Sequence, residues 1–196
     1  PNPKTFGIRD TDPTGFLQKA YDLAEPTENA VGFKLFPDHI MCSESHCELF
    51  HTVFKDHRIR KIILVRQNRL KVCTSMLRAA ITSNYTHKKY DDCHIQFQPD
   101  EFQSFVKSYD KYYDWLKDQT LGTPVMTVKY EDLANDQTSH ITLNEIANFL
   151  GVDKLKQWNT SFPKQSKSDA YEGIANYSEL SRAFRYHPAR HALGFK

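Results

Sequence analysis

The sequence predicts an α/β fold built on a mainly parallel sheet flanked by helices. Strand-like and helix-like segments alternate along the chain, the order that a parallel sheet with crossover helices requires. Ile62-Ile63-Leu64-Val65 is a continuous apolar run, the pattern of a strand covered on both faces. Residues 100–117 place Phe102, Phe105, Val106, Tyr109, Tyr112, Tyr113 and Leu116 at helical spacing, which marks a core-facing helix. The 196 residues suit a single domain over 1–196, with a core large enough to fold without metal or disulfide.

Each element has its own signal. Residues 1–13 read as a loop, and Thr14 can cap a helix reaching Ala24, with Phe16, Leu17, Ala20 and Leu23 on one side. Residues 25–29 are turn-like. Residues 30–36 read as a short buried strand, because Val31, Phe33 and Leu35 alternate. Pro37-Asp38 opens a helix to about Phe54, since a proline in the first turn gives up no hydrogen bond. Residues 61–65 are the strongest strand. The helix over 68–84 has Leu70, Cys73, Leu77 and Ile81 as its apolar stripe, and residues 85–98 are a polar and aromatic loop. After the helix at 100–117 come a third strand at 124–130 and a helix at 140–150, which Gly151 ends as a left-handed cap. Residues 151–175 are loop-rich. Asn176 or Ser178 starts a last short helix through Leu180 and Phe184. Ligands in such folds sit at the carboxyl ends of strands, so the informative loops are 36–39, 66–69 and 130–136.

Composition removes several classes of function. Lys plus Arg number 26 and Asp plus Glu 24, a net charge of +2, which provides no dedicated nucleic-acid surface. No apolar run is long enough to cross a membrane, and the polar, Pro-rich start is not a signal peptide. Four cysteines, at 42, 47, 73 and 93, are too few for a disulfide scaffold. Three N-x-S/T sequons, at Asn84, Asn159 and Asn176, leave a Golgi-lumen location open beside a cytoplasmic one.

Four places can carry chemistry. Arg66 emerges at the end of the strongest strand and a helix starts just after it, where free N–H groups favour an anion. Ser75 lies about two turns into that helix, and a guanidinium and a hydroxyl so placed can hold one phosphate. The same residues also read as a solvated basic helix start. Lys34, near the end of an otherwise apolar strand, must snorkel, pair or face a ligand. His39, in the following helical turn, is a proton acceptor near neutral pH or a histidine bonded to nearby backbone. Lys164 and Lys167, in a hydroxyl-rich loop, suit either a phosphorylated nucleotide or solvent. His39, Cys42, His46, Cys47 and His51 are zinc-type ligands, but one helix does not readily close a tetrahedron, so no metal is expected. No Walker loop, dinucleotide fingerprint, H-E-x-x-H or nucleophile elbow is present.

Read in order, five blocks resemble one family. They are Gly32-Phe33-Lys34-Leu35-Phe36-Pro37-Asp38-His39, the stretch from Arg66 through Leu70 and Ser75 to Ala79, and Val128-Lys129-Tyr130-Glu131-Asp132-Leu133. Phe149-Leu150-Gly151-Val152 follows, then Lys164-Gln165 with Asn176-Tyr177-Ser178-Glu179-Leu180 and Phe184. The resemblance is to the sulfotransferases that use 3′-phosphoadenosine 5′-phosphosulfate (PAPS), in particular the nodulation-factor and lipopolysaccharide branch. It covers residues 30–185, and the order of the blocks, more than any one of them, makes it specific. It implies a P-loop-NTPase-like sulfotransferase fold. It also implies Arg66 and Ser75 on the 3′-phosphate of PAPS, Lys164 near the nucleotide, and a structural role for Tyr130, Glu131 and Asp132. His39 becomes the candidate base and Lys34 the candidate cation on the leaving phosphate. The acceptor is a hydroxyl of a carbohydrate or other small metabolite, and the chemistry requires no metal.

One departure stands out. The family's first strand and its P-R-[ST]-G-[ST] loop, which holds the 5′-phosphosulfate, should precede Phe33, and no residue before Ala30 matches it. The expectation is that the chain is an excerpt lacking that strand. Loss of the loop from the protein is the alternative. With it go two other readings: a nucleotide-binding pseudoenzyme module, and a phosphotransferase on a related fold.

Overall fold

In the computed structural model, residues 12–22, 25, 27, 29–36, 51, 53–83, 94–154, 171 and 173–195 are described. The first helix, α1 (Pro13–Asp22), begins one residue before Thr14, because Asp12 is its cap. The Asp12 carboxylate accepts the Gly15 backbone N–H at 2.9 Å, satisfying one of the donors that every helix start leaves open.

The strand expected over 30–36 does not form. A strand is stable only where its backbone groups enter a ladder, and no described strand pairs with this segment. Val31, Phe33 and Phe36 are exposed, and Phe33 meets the Tyr21 ring edge-on at 6.2 Å. Most of the helix expected over 37–54 lies outside the described residues; residues 51 and 53–55 are helical.

Strand β1 (Lys61–Val65) forms as expected and pairs with β2 (Val125–Lys129) in a two-stranded parallel sheet. Its expected coverage on both faces is corrected. Ile63 is buried, while Ile62 and Leu64 are 40% and 48% exposed, so burial alternates as on a sheet covered on one side.

Between the strands lie two helices. In α2 (Arg69–Thr82), the Asn68 side chain caps the start by accepting the Lys71 N–H at 2.9 Å, and Ser83 ends it in the left-handed region with φ 50°. The buried stripe of α2 differs from the expected one. Leu70 and Cys73 are buried, but Leu77 and Ile81 are exposed, and Thr74, Arg78 and Ala79 take their places inside. The buried residues 70, 73, 74, 78 and 79 share one side of the helix with Leu77 and Ile81, so which positions are covered was not set by the apolar stripe alone. Helix α3 (Pro99–Thr120) starts at a proline, carries Asp100 and Glu101 in its first turn and Lys117 in its last, and so suits its dipole at both ends.

After β2 come the short α4 (Tyr130–Ala134) and α5 (Ser139–Leu150). Gly151 ends α5 at φ +70°, where a side chain would be strained, as the sequence predicts. Last come α6 (Tyr177–Ala183), preceded by Asn176, and an unforeseen turn of helix, α7 (Arg190–Leu193).

The chain divides into two compact units. The first comprises Pro1–Ile63, Asp114–Thr127 and Ile141–Lys154. In it Phe54 packs edge-on against Trp115 at 5.7 Å, and Arg60 donates to the Leu150 carbonyl at the end of α5 at 2.6 Å. Lys61 is buried and donates to the Asp56 carbonyl; burial lowers its pKa, with Asp56 opposing.

The second unit comprises Leu64–Tyr113, Val128–His140 and Leu155–Lys196. It holds a core of Leu70, Cys73, Ile95, Phe97, Phe102, Ile174, Leu180, Phe184, Leu193 and Phe195. Its C-terminal segment is laced to residues 95–97. Ile95 donates to Gly173 O and accepts from Ala175 N, both at 2.8 Å. The Asn176 side chain accepts the Phe97 N–H at 3.1 Å and donates to the Phe97 carbonyl at 2.6 Å. The sequon asparagine at 176 is therefore committed to structure, and a glycan on its Nδ2 would crowd the bond that this nitrogen donates to the Phe97 carbonyl. Asn84 and Asn159 lie outside the described residues. Burial pushes the Cys73 thiol up to about 12, with Glu101 contributing, so this cysteine is an inert core side chain.

Candidate functional site

The candidate site is the loop joining β1 to α2, within the second unit. The β1 ladder ends at Val65, so the chain must turn at residues 66–68, and their backbone groups need other partners. Tyr109 and Glu131 supply them. The Tyr109 hydroxyl accepts the Arg66 N–H at 3.2 Å and lies 3.3 Å from the Arg66 carbonyl, to which it also donates. The two Glu131 oxygens accept the Gln67 and Asn68 N–H groups, each at 3.1 Å. Tyr113, whose ring lies tilted against that of Tyr109 at 4.7 Å between centres, donates to the Leu64 carbonyl at 2.8 Å. Burial and its hydrogen bond with Tyr109 raise the Tyr113 pKa, so it stays a neutral donor.

Two arginines leave this loop and end differently. Arg69 is fully engaged. It pairs with Asp110 at 2.9 Å, donates to the Arg66 and Gln67 carbonyls, and lies 4.4 Å from the Tyr109 ring centre. Arg66 is not. Its guanidinium carbon sits 4.5 Å from the Tyr130 ring centre, and its Nε is buried without a hydrogen-bond partner. A buried guanidinium N–H left unpaired costs on the order of 1–3 kcal/mol. Tyr130 holds the plane of the cation without using up its donors.

The loop thus brings together two sequence blocks that lie some sixty residues apart, Arg66-Gln67-Asn68 and Tyr130-Glu131. Glu131 accepts from two backbone N–H groups of the loop. Ser75 is half-buried on α2, one position after Thr74, whose hydroxyl is turned back onto the Leu70 carbonyl at 2.7 Å. Lys34 is exposed in the irregular 30–36 segment, which removes the buried strand on which its placement was argued. His39 and Lys164 lie outside the described residues, as do Cys42, His46 and Cys47. Among the described residues no three His, Cys, Asp or Glu side chains gather as a metal site, and no helix is long and apolar enough to cross a membrane.

Sequence reasoning missed Tyr109 and Arg78. Tyr109 was read as core stripe, and its hydroxyl partner 43 residues away leaves no local trace. Arg78 carried a weak signal, a charge in the 70–74–78 row. It is 6% exposed, and its Nε is buried without a partner.

No curated protein and no solved structure matches the chain. A family model described as the sulfotransferase domain matches residues 35–186, most of the chain. That span contains the β1–α2 loop, its unpaired Arg66 and the Tyr130-Glu131 support, and the chain accordingly belongs to the sulfotransferase domain family.

Proposed function

We propose that the protein moves a sulfuryl group from PAPS to a hydroxyl of a carbohydrate or other small metabolite, as in the nodulation-factor and lipopolysaccharide branch. The observation that carries this reading is Arg66, a half-buried cation whose Nε is enclosed with its hydrogen bond unmade, held by a clamped loop at the end of β1. Its chemistry fits a phosphate: a planar fork of donors set over an aromatic face, with the Nε lacking an acceptor.

Arg66 and Ser75 hold the 3′-phosphate of the nucleotide, and Lys164 approaches it from the C-terminal loop. PAPS, when bound, supplies the sulfuryl group. His39 takes the proton of the acceptor hydroxyl as the new oxygen–sulfur bond forms. Lys34 steadies the bridging phosphate oxygen as its bond to sulfur breaks. The protein's contribution is positioning and charge stabilisation. Support for Lys34 and His39 is the order of the Gly32–His39 block ahead of the Arg66 block.

The test is calorimetric titration with 3′-phosphoadenosine 5′-phosphate against 5′-AMP, together with turnover of PAPS in the presence of a chelator. Binding that needs the 3′-phosphate, and turnover that survives chelation, are expected. Preference for ATP with a magnesium requirement would instead establish a phosphotransferase. His39→Ala and Lys34→Ala are each expected to lower kcat by about 100-fold or more with nucleotide affinity little changed. Unchanged turnover in either variant would remove that residue from the mechanism.

A further inference from the structure

Among the described residues three glycines take a left-handed φ, Gly122, Gly151 and Gly194. They differ in what a side chain would meet. At Gly122 a Cβ would point into open space. At Gly194, which ends α7 at φ +102° and is buried, it would overlap the Asn68 side-chain amide, with Cγ only 2.6 Å away. The backbone of the C-terminal turn thus lies directly on the Asn68 side chain, and only glycine allows so close an approach. Helix α7 packs against α2 at the same place.

Asn68 is the hinge between the candidate site and α2. Its side chain caps the helix by accepting the Lys71 N–H at 2.9 Å, and its own N–H is held by Glu131 at 3.1 Å. It follows Arg66 by two residues, so a shift of Asn68 moves the loop that carries the arginine. Gly194 cannot step back from it. The Gly194 N–H donates to the His191 carbonyl at 3.0 Å, and its carbonyl accepts the Tyr171 hydroxyl at 2.9 Å. Its neighbours Leu193 and Phe195 are both core residues, and the Phe195 ring stacks on Phe184 at 5.3 Å.

We infer that Gly194 is a positioning residue. The C-terminal turn is a brace, anchored in the core and by Tyr171, that fixes the Asn68 side chain and through it the setting of the loop from Arg66 to Asn68. Gly194 acts through Asn68 and touches no ligand. The inference rests on the nucleotide reading above. It adds to it that affinity depends on a residue more than a hundred positions away from the loop.

The test is calorimetric titration of 3′-phosphoadenosine 5′-phosphate and of 5′-AMP into the wild type, Gly194→Ala, Asn68→Gly, the double variant and Gly122→Ala, with exchange of the Lys71 amide followed by NMR. Gly122→Ala carries the backbone strain without a neighbour, so it should keep the wild-type affinities. Gly194→Ala is expected to weaken 3′-phosphoadenosine 5′-phosphate by about 10-fold or more and to leave 5′-AMP nearly unchanged. It should also speed exchange at Lys71, because the cap is pushed aside. In the Asn68→Gly background the overlap is gone and glycine still serves as a cap, so Gly194→Ala should cost less than about 2-fold there. A glycine that matters to the fold alone would give an equal loss in both backgrounds; that result, or unchanged Lys71 exchange in Gly194→Ala, overturns the inference. Should Gly194→Ala not fold, Tyr171→Phe decides, since it frees the Gly194 carbonyl and changes no shape. Faster Lys71 exchange with weaker 3′-phosphoadenosine 5′-phosphate binding is then expected, and wild-type values of both would overturn the brace. If the wild type binds the two nucleotides alike, the nucleotide reading fails, and Lys71 exchange decides by itself whether Gly194 sets the cap.

Discussion

Arg66→Ala is expected to weaken 3′-phosphoadenosine 5′-phosphate binding by about 100-fold, roughly 2.7 kcal/mol, while leaving 5′-AMP binding nearly unchanged. The size follows from the state of the side chain before ligand arrives. Its Nε is already desolvated and unpaired, so a phosphate oxygen gains a charge-assisted bond with little further cost in water. Its plane is already set by the Tyr130 ring, and its backbone by Tyr109, so little ordering entropy remains to be lost. Lysine at this position should rescue poorly, because it supplies the charge but neither the fork nor the flat face. Calorimetric titration at fixed ionic strength checks this, and equal affinities of Arg66→Ala and wild type would remove Arg66 from the site. Stability should change little, since the alanine leaves no described donor or acceptor newly unpaired.

Phe102→Ala is expected to cost about 3–5 kcal/mol of folding stability. Phe102 is 0% exposed, and three rings meet it edge-on: Phe97 at 6.0 Å, Phe184 at 5.4 Å and Phe195 at 5.8 Å. Alanine removes the buried surface, leaves a cavity, and ends three favourable ring contacts at once. Against a domain stability of about 5–15 kcal/mol the loss is large. Phe184 and Phe195 belong to the C-terminal segment and Phe102 to α3, so the contact that is lost is the one joining them. Urea denaturation measures it, and a change below about 1 kcal/mol would show that the core collapses around the missing ring.

The two variants separate binding from folding, and they also separate what was visible in the sequence from what was not. Phe102 was legible because its stripe on residues 99–120 repeats every three or four positions, a periodicity that only burial explains. Arg66 was legible because a strongly apolar strand ends beside it and a helix begins three residues later. Ser75 stood out by its position two turns into the helix and by the family resemblance of its block. The strand expected over 30–36 shows the limit of alternation, which records which side chains prefer burial but not whether a neighbouring strand is there to complete the ladder. The stripe of α2 shows another: Leu77 and Ile81 are as apolar as Leu70 and share its side of the helix, yet they are exposed while Thr74 and Arg78 go inside, so the apolar periodicity did not tell where along the helix the cover ends.

The sequence by itself determined the two strands β1 and β2, most of the described helices, the left-handed cap at Gly151, the α/β class, and the order of blocks that marks a sulfotransferase. These are local properties, set by propensity, periodicity and turn chemistry within a few residues. Only the tertiary structure decided that Glu131 and Tyr109 clamp the loop after β1, that Arg69 is paired while Arg66 has no ion pair among the described residues, and that Arg78 lies buried against Gly173. Whether a charge is paired depends on groups brought together from across the chain, and a sequence orders residues along a line while pairing is a matter of distance in space.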